Sequence, residues 1–264
     1  NHIADTWSWT TRLGLSQKLA EPPEQASNSY QFWRDLAVRF GFEEWFPWPT
    51  HDEVLDYRLS RSGRSFSDFE AQGFMEIPPV RYRKYRKTGF ATPSGKVELS
   101  SSVLGDLGFD PLPYFRPGPA TSEEFPYLVF NGVREDPFFQ TGQRNIKELR
   151  DRCPVPRIFM HPDDAKREAL SDGEWIELQT AYGAVSAELS VQPNMKTGHL
   201  RVPHGWWYPE ATDTETLAGA FLSSDAVLCS DDDELLDREQ GIPHFKGFPG
   251  RVVKAAKPDA IGAA

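Results

Sequence analysis

From residue 174 onward apolar and polar side chains alternate. Ile176 and Leu178 fall between Trp175, Glu177 and Gln179, and "AVSAELSVQ" takes up the same beat after Tyr182-Gly183. A period of two marks a strand with one covered and one wet face, and a turn-forming pair between two such runs predicts a hairpin. Shorter apolar runs bounded by turn residues lie on either side: "FPYLVFNGV", "RIFM" and "GHLRVP", with one more strand around Arg251 to Lys254. "RNIKELRDR" and the stretch after Pro162 read as short helices. Five or six short strands with two small helices predict a compact β-barrel over residues 120–264.

Upstream the period changes. In "SNSYQFWRDLAVRFG" the residues Phe32, Trp33, Leu36, Ala37 and Phe40 share one helical face, with Ser27 or Asn28 as N-cap and Gly41 as terminator. That stripe predicts a buried helix. Thr50 and Glu53 stand at capping-box spacing, and "SFSDFEAQG" predicts a third helix from Ser65 to Gly73. The aromatic residues here, "EEWFPWP" included, are read as core and loop anchors. Residues 1–76 are thus a helical region whose opening stretch has no strong element. Lacking an initiator Met, that stretch reads as chain that once followed something, and a fragment is expected.

Residues 77–119 are punctuated by Pro and Gly and read as an extended linker. Within it Arg81, Arg83, Lys84, Arg86 and Lys87 interleave with Tyr82 and Tyr85, a run taken as a solvated segment. "TPSGK" lacks the spacing and the helix of a phosphate loop. The fold class that follows is α+β: a mainly β barrel preceded by a short helical region.

Charge narrows the function. The chain has 29 Lys+Arg against 39 Asp+Glu, a net −10, which argues against generic electrostatic binding of nucleic acid or anionic membrane. No run approaches the roughly 18 apolar residues of a membrane span, so direct membrane insertion is not expected. Cys153 and Cys229 are far apart with no C-x-x-C spacing, and they encode neither a metal site nor a disulfide framework.

Three stretches carry candidate chemistry. In "MHPDDAKREAL", Pro162 suits the first helical turn, and Asp163 and Asp164 follow beside unpaired backbone donors. They complement the helix dipole. A second carboxylate at a strand-to-helix junction is also placed to accept two parallel hydrogen bonds from a planar donor edge such as guanine's. In "FNGVREDPFFQTGQRNIKELR", Asn131-Gly132 ends a strand with a turn that admits a ligand close to backbone, and Arg134 and Arg144 have forks suited to phosphate. In "VPHGWWYPE", His204, Gly205 and Trp206 follow a strand. None of these amounts to a self-sufficient active site.

In order, "GFATPSGKVELSS", "YLVFNGVR", "FFQTGQRNIKELR", "HPDDAKREALSDGEWIELQTAYGAVSAEL" and "GHLRVPHGWW" closely resemble the C-terminal third of the molybdopterin-dependent oxidoreductases of the dimethyl sulfoxide reductase superfamily. Within it the chain is similar to the anaerobic dehydrogenase, thiosulfate or polysulfide reductase and acetylene hydratase branches. The resemblance implies that residues 120–254 form a molybdopterin dinucleotide-binding domain, a six-stranded double-psi β-barrel of the aspartate decarboxylase-like type. It would hold one of two molybdopterin guanine dinucleotides that chelate molybdenum or tungsten.

Nucleotide contacts are then expected at Asn131, Gly132 and Arg134 and in the block of His161, Asp163 and Asp164, with Asp164 reading guanine and Asp163 capping or assisting. Pterin contacts are expected at His204, Gly205 and Trp206, and around Phe245 to Gly247, Lys246 included. Gln140 stands where relatives often carry His, four residues before Arg144, and Ala226 where many carry Asn. No catalytic residue and no metal ligand is expected in this chain. The metal ligand and an iron–sulfur cluster would lie in N-terminal domains of the same enzyme, with an iron–sulfur electron-transfer subunit as partner and a prokaryotic cytoplasmic or periplasmic setting. The alternatives are a stand-alone nucleotide- or carbohydrate-binding module without redox activity, and a small hydrolase using His204 with Asp163 or Asp164.

Overall fold

The computed structural model describes residues 2–5, 12–16, 18, 20, 21, 23, 24, 26–76, 82–112, 114, 115, 117–211, 217–232, 235–237, 240–243 and 246–258. The chain divides into two compact units, 1–98 and 99–264, so the boundary falls inside the segment read as a linker.

The first unit holds strands β1 (His2–Asp5) and β2 (Arg12–Ser16), helices α1 (Ser29–Arg39), α2 (His51–Leu59) and α3 (Phe66–Gln72), strand β3 (Phe74–Glu76) and the single turn α4 (Tyr85–Thr88). The helices start where side-chain oxygens meet free N–H groups. Asn28, Thr50 and Ser65 cap α1, α2 and α3, and Ser65 with Asp68 completes a capping box. Leu55, Leu59, Phe66, Phe69 and Met75 form the core of this unit.

Two expectations fail here. The opening stretch is not featureless: β1, β2 and β3 pair antiparallel in that order. Nor is α1 buried, because only Ala37 on it is covered, while Phe32, Trp33 and Phe40 are 53%, 58% and 69% exposed. An apolar stripe fixes which face of a helix is sticky, not that anything in the same unit covers it.

The second unit opens with α5 (Ser102–Asp106), which, like α4, puts a helical turn in the segment read as extended. Six strands follow: β4 (Tyr127–Val133), β5 (Arg157–Met160), β6 (Trp175–Gln179), β7 (Ala184–Val191), β8 (His199–Pro203) and β9 (Lys246–Lys254). Helices α6 (Lys147–Arg150), α7 (Pro162–Arg167) and α8 (Ala220–Ser223) fill the connections, and a 3₁₀ turn spans Asp225–Leu228.

The strands close into a barrel in the order β4-β8-β5-β7-β6-β9. The pairs β4/β8 and β5/β7 are parallel and the rest antiparallel. The predicted alternation holds: Ile176 and Leu178 on β6, Val185, Ala187 and Leu189 on β7, and Leu200 and Val202 on β8 all point into one core. Closure leaves no free sheet edge, so the irregular places are the strand ends, where binding loops can sit. Among the described residues no helix is long and apolar enough to cross a membrane.

Candidate functional site

The ladder around β4 breaks near its C-terminal end. Against β8 it runs Leu128↔His199 to Phe130↔Arg201 and then slips, so that Val133 faces Pro203; against β9 it slips between Val129 and Phe130, setting Phe130 opposite Lys246. Such bulges re-aim the chain and free backbone groups from pairing. Gly132 takes φ +72 there, a left-handed conformation that glycine adopts without strain. Its N–H leaves the ladder and donates to Asp225 Oδ2 at 2.9 Å.

Asp225 is 1% exposed and collects partners from two segments. Besides Gly132, its Oδ1 accepts the Gly205 N–H at 2.8 Å, and its Oδ2 lies 3.1 Å from His204 Nδ1. Its own carbonyl faces the amide nitrogen of Asn131 at 3.4 Å. Because β8 is parallel to β4, the two strands deliver Asn131–Arg134 and His204–Gly205 to the same barrel end, and β9 begins there with Lys246. Arg134, Lys246 and part of His204 stay solvent-facing. The Arg134 guanidinium lies over the exposed ring of Phe139, 5.8 Å from its centroid.

Gly205 is held tightly at this rim. Its φ is +58, and a Cβ there would meet Thr141 Cγ2 at 2.1 Å. Beneath it Arg144 donates from Nη1 to the Gln140 carbonyl at 2.9 Å and from Nη2 to the His204 carbonyl at 3.0 Å. The guanidinium also packs 4.8 Å from the Phe138 ring centroid and 4.7 Å from that of Trp206. Arg150 packs on the same indole at 5.0 Å. Burial pulls the Arg144 guanidinium below its usual value and raises the Glu135 carboxyl above its own.

Several expected contacts therefore change meaning. Arg144 is 1% exposed and its fork is engaged by two carbonyls, so it braces the rim from inside and does not reach a phosphate. Trp206 is wholly buried between Arg144, Arg150, Phe138 and Tyr208 and presents no face to a ligand. Gln140 contributes a carbonyl from a left-handed turn, φ +57. Asn131 is buried with its Oδ1 unpartnered among the described residues. Phe245 lies outside the described residues.

The aspartate pair occupies the other end of the barrel. His161 caps α7, its Nδ1 accepting the Asp163 N–H at 3.1 Å. Asp164 is fully buried; one oxygen accepts Gly198 N–H at 2.6 Å and the other accepts Arg167 Nη2 at 2.6 Å. Asp164 thus has no exposure and a protein partner on each oxygen, an arrangement that suits a structural role. Asp163 is the exposed member of the pair. Gly198 precedes β8 and His204 follows it, and six residues at about 3.3 Å each put the two sets roughly 20 Å apart.

Asp225 is the residue that reading the sequence missed. It adjoins Ala226, which the resemblance had singled out, but an aspartate 20 and 93 residues from its partners leaves no local pattern. Both cysteines are free thiols, and among the described residues no cluster of His, Cys, Asp or Glu is placed to hold a metal ion.

Comparison with known proteins agrees with this architecture. Residues 128–245 match the Molydopterin dinucleotide binding domain family. The chain is 40% identical to acetylene hydratase of Syntrophotalea acetylenica over 97% of its length and 36% of that protein's. It is 25% identical to a dimethyl sulfoxide reductase of Escherichia coli over 75% of this chain and 28% of the relative. The structure of acetylene hydratase from Pelobacter acetylenicus superposes with a TM-score of 0.82 at 38% identity, over 96% of this chain and 36% of that one. The chain thus spans about a third of the length of these relatives. Residues 128–245 form a molybdopterin dinucleotide-binding domain, and the chain has homologues in the dimethyl sulfoxide reductase family, acetylene hydratase among them.

Proposed function

We propose that this chain is part of a longer molybdenum or tungsten enzyme carrying bis-molybdopterin guanine dinucleotide, in the acetylene hydratase branch, and that its barrel has the double-psi form. The two parallel pairs β4/β8 and β5/β7, joined antiparallel through β5 and β8, support the double-psi reading. The greater length of the relatives supports further domains in the whole protein, where the metal ligand and an iron–sulfur cluster belong.

The observation that carries the reading is the rim where β4, β8 and β9 meet. In a chain of net charge −10, Arg134 and Lys246 gather at one barrel end, beside His204 and backbone that has left the ladder. Exposed guanidinium and ammonium groups at such a rim suit a diphosphate. In this reading Gly132 lets backbone approach the ligand, Arg134 and Lys246 balance its charge, and His204 hydrogen-bonds its heterocyclic part. Asp163, exposed at the other end, is the carboxylate free to take a donor edge. When bound, the cofactor brings the metal centre and its chemistry, while the protein supplies binding, orientation and electrostatics.

The test is the metal, pterin and GMP content of the gene product purified from a host that makes the cofactor. Stoichiometric metal with pterin and GMP supports the reading. A well-folded product free of all of them overturns it in favour of a stand-alone binding module.

A further inference from the structure

We propose that Asp225 is a positioning residue of the ligand site: it holds His204 in the Nδ1–H form, so that Nε2 is presented to the ligand as a hydrogen-bond acceptor for a ring N–H or amino group. The inference rests on the rim being the cofactor site, and it concerns a residue with no contact of its own to the ligand.

The geometry is direct. Oδ2 of Asp225 already accepts the Gly132 N–H at 2.9 Å and faces His204 Nδ1 at 3.1 Å, while Oδ1 accepts the Gly205 N–H at 2.8 Å. An ionised carboxylate has no proton to give, so Nδ1 must be the donor. In the neutral imidazole the other nitrogen is then an acceptor, and its identity is set by the partner of the first. Asp225 is 1% exposed, whereas the His204 side chain keeps 34% of its surface, so the edge left for a ligand is the one that carries Nε2. The His204 carbonyl is fixed independently by Arg144 at 3.0 Å, which holds the backbone that carries the ring.

The same carboxylate joins the bulge at Gly132 to the turn at Gly205, so two loops from neighbouring parallel strands are tied together. The ligand class this favours is a heterocycle with a hydrogen-bond donor edge, such as a pterin or guanine ring. An acceptor nitrogen recognises such an edge and repels bare phosphate oxygen.

The test uses the gene product isolated with its cofactor. Asp225→Asn keeps the shape, but its amide must donate on one side; facing Nδ1 it converts His204 to the form whose Nε2 is a donor. Pterin and GMP retained per chain during dialysis are compared for wild type, Asp225→Asn, His204→Ala and the double variant. Retention is expected to fall roughly ten- to a hundredfold in Asp225→Asn, by analogy with the loss when a partner that orients a metal-binding histidine is removed. Because Asp225 also holds Gly132 and Gly205, the double variant is expected to lose more than His204→Ala alone but less than the product of the two single losses. Retention equal to wild type in Asp225→Asn, or losses that multiply in the double variant, overturns the inference.

Should Asp225→Asn fail to fold, carbethoxylation of wild-type His204 with diethylpyrocarbonate, mapped by mass spectrometry, decides the matter. His204 is expected to react in the cofactor-stripped protein and to be protected in the loaded one; equal rates in both overturn the inference. A wild type that carries no cofactor at all tells against the site reading itself and is distinguishable from either result.

Discussion

Gly198 donates its backbone N–H to Oδ2 of Asp164 at 2.6 Å, tying the entrance of β8 to the first turn of α7. The other oxygen of the same carboxylate takes Arg167 Nη2, which also reaches the Tyr127 hydroxyl at 3.1 Å. Asp164→Ala removes the acceptor from a buried amide and is expected to destabilise the protein by about 1–3 kcal/mol. Asp163→Ala, at an exposed position, is expected to leave the unfolding midpoint nearly unchanged. Chemical denaturation of both variants checks this; equal midpoints would refute the structural role of Asp164.

Two glycines at the ligand rim should respond differently to the same substitution. Gly132 and Gly205 both have positive φ, which costs a residue with a Cβ about 1–2 kcal/mol. Only at Gly205 does the added carbon also collide, with Thr141 Cγ2 at 2.1 Å; at Gly132 nothing lies within 4 Å. Gly205→Ala is therefore expected to be the more destabilising, and Thr141→Ala to recover part of that loss. If Gly132→Ala proves as damaging as Gly205→Ala, the close approach is not what restricts position 205.

The barrel was legible in the sequence because its information is local. Ile176 and Leu178 alternate with polar neighbours whichever strands lie beside them, and Pro162 announces the start of α7. The α1 stripe was equally legible and still misled, since Phe32 and Trp33 give the same period whether or not the unit covers them. The β1–β2–β3 sheet escaped notice because its strands are short and β3 pairs across the helices. At the rim, Gly132 and His204 were visible as turn and ring, but what binds them together is Asp225, a partner that only the closed barrel brings near.

Burial fixes the alkaline limit of stability. It is the main cause that pushes the phenols of Tyr127 and Tyr208 from the ordinary 10 up to about 12, and the Cys153 thiol from 9 up to about 12. In the unfolded chain these groups lose their protons first, so their deprotonation favours unfolding. Their contribution is complete below the unfolded values and is lost as pH rises through them toward about 12. Tyrosinate absorbance of these two phenols is expected to rise together with unfolding. Complete titration of every tyrosine around the ordinary 10, in a protein still folded, would contradict it.

Arg144 and Arg150 both pack against the Trp206 indole, at 4.7 and 5.0 Å, yet their substitution by lysine should diverge. Arg144 spans two carbonyls, those of Gln140 and His204, from inside the protein. A single ammonium cannot reproduce that fork, nor stack on Phe138 and Trp206 as a planar guanidinium does. One buried carbonyl is left without its donor, at about 1–3 kcal/mol, and the loop that carries His204 loses its brace. Arg150 instead pairs with Glu210 at 2.8 Å, and that carboxylate is 46% exposed, so Arg150→Lys keeps a charge pair with water to complete it. Arg144→Lys is thus expected to lower both the unfolding midpoint and cofactor retention, and Arg150→Lys to change neither strongly. Equal losses in the two variants would mean that contact with the indole, which they share, outweighs the carbonyl clamp, which they do not.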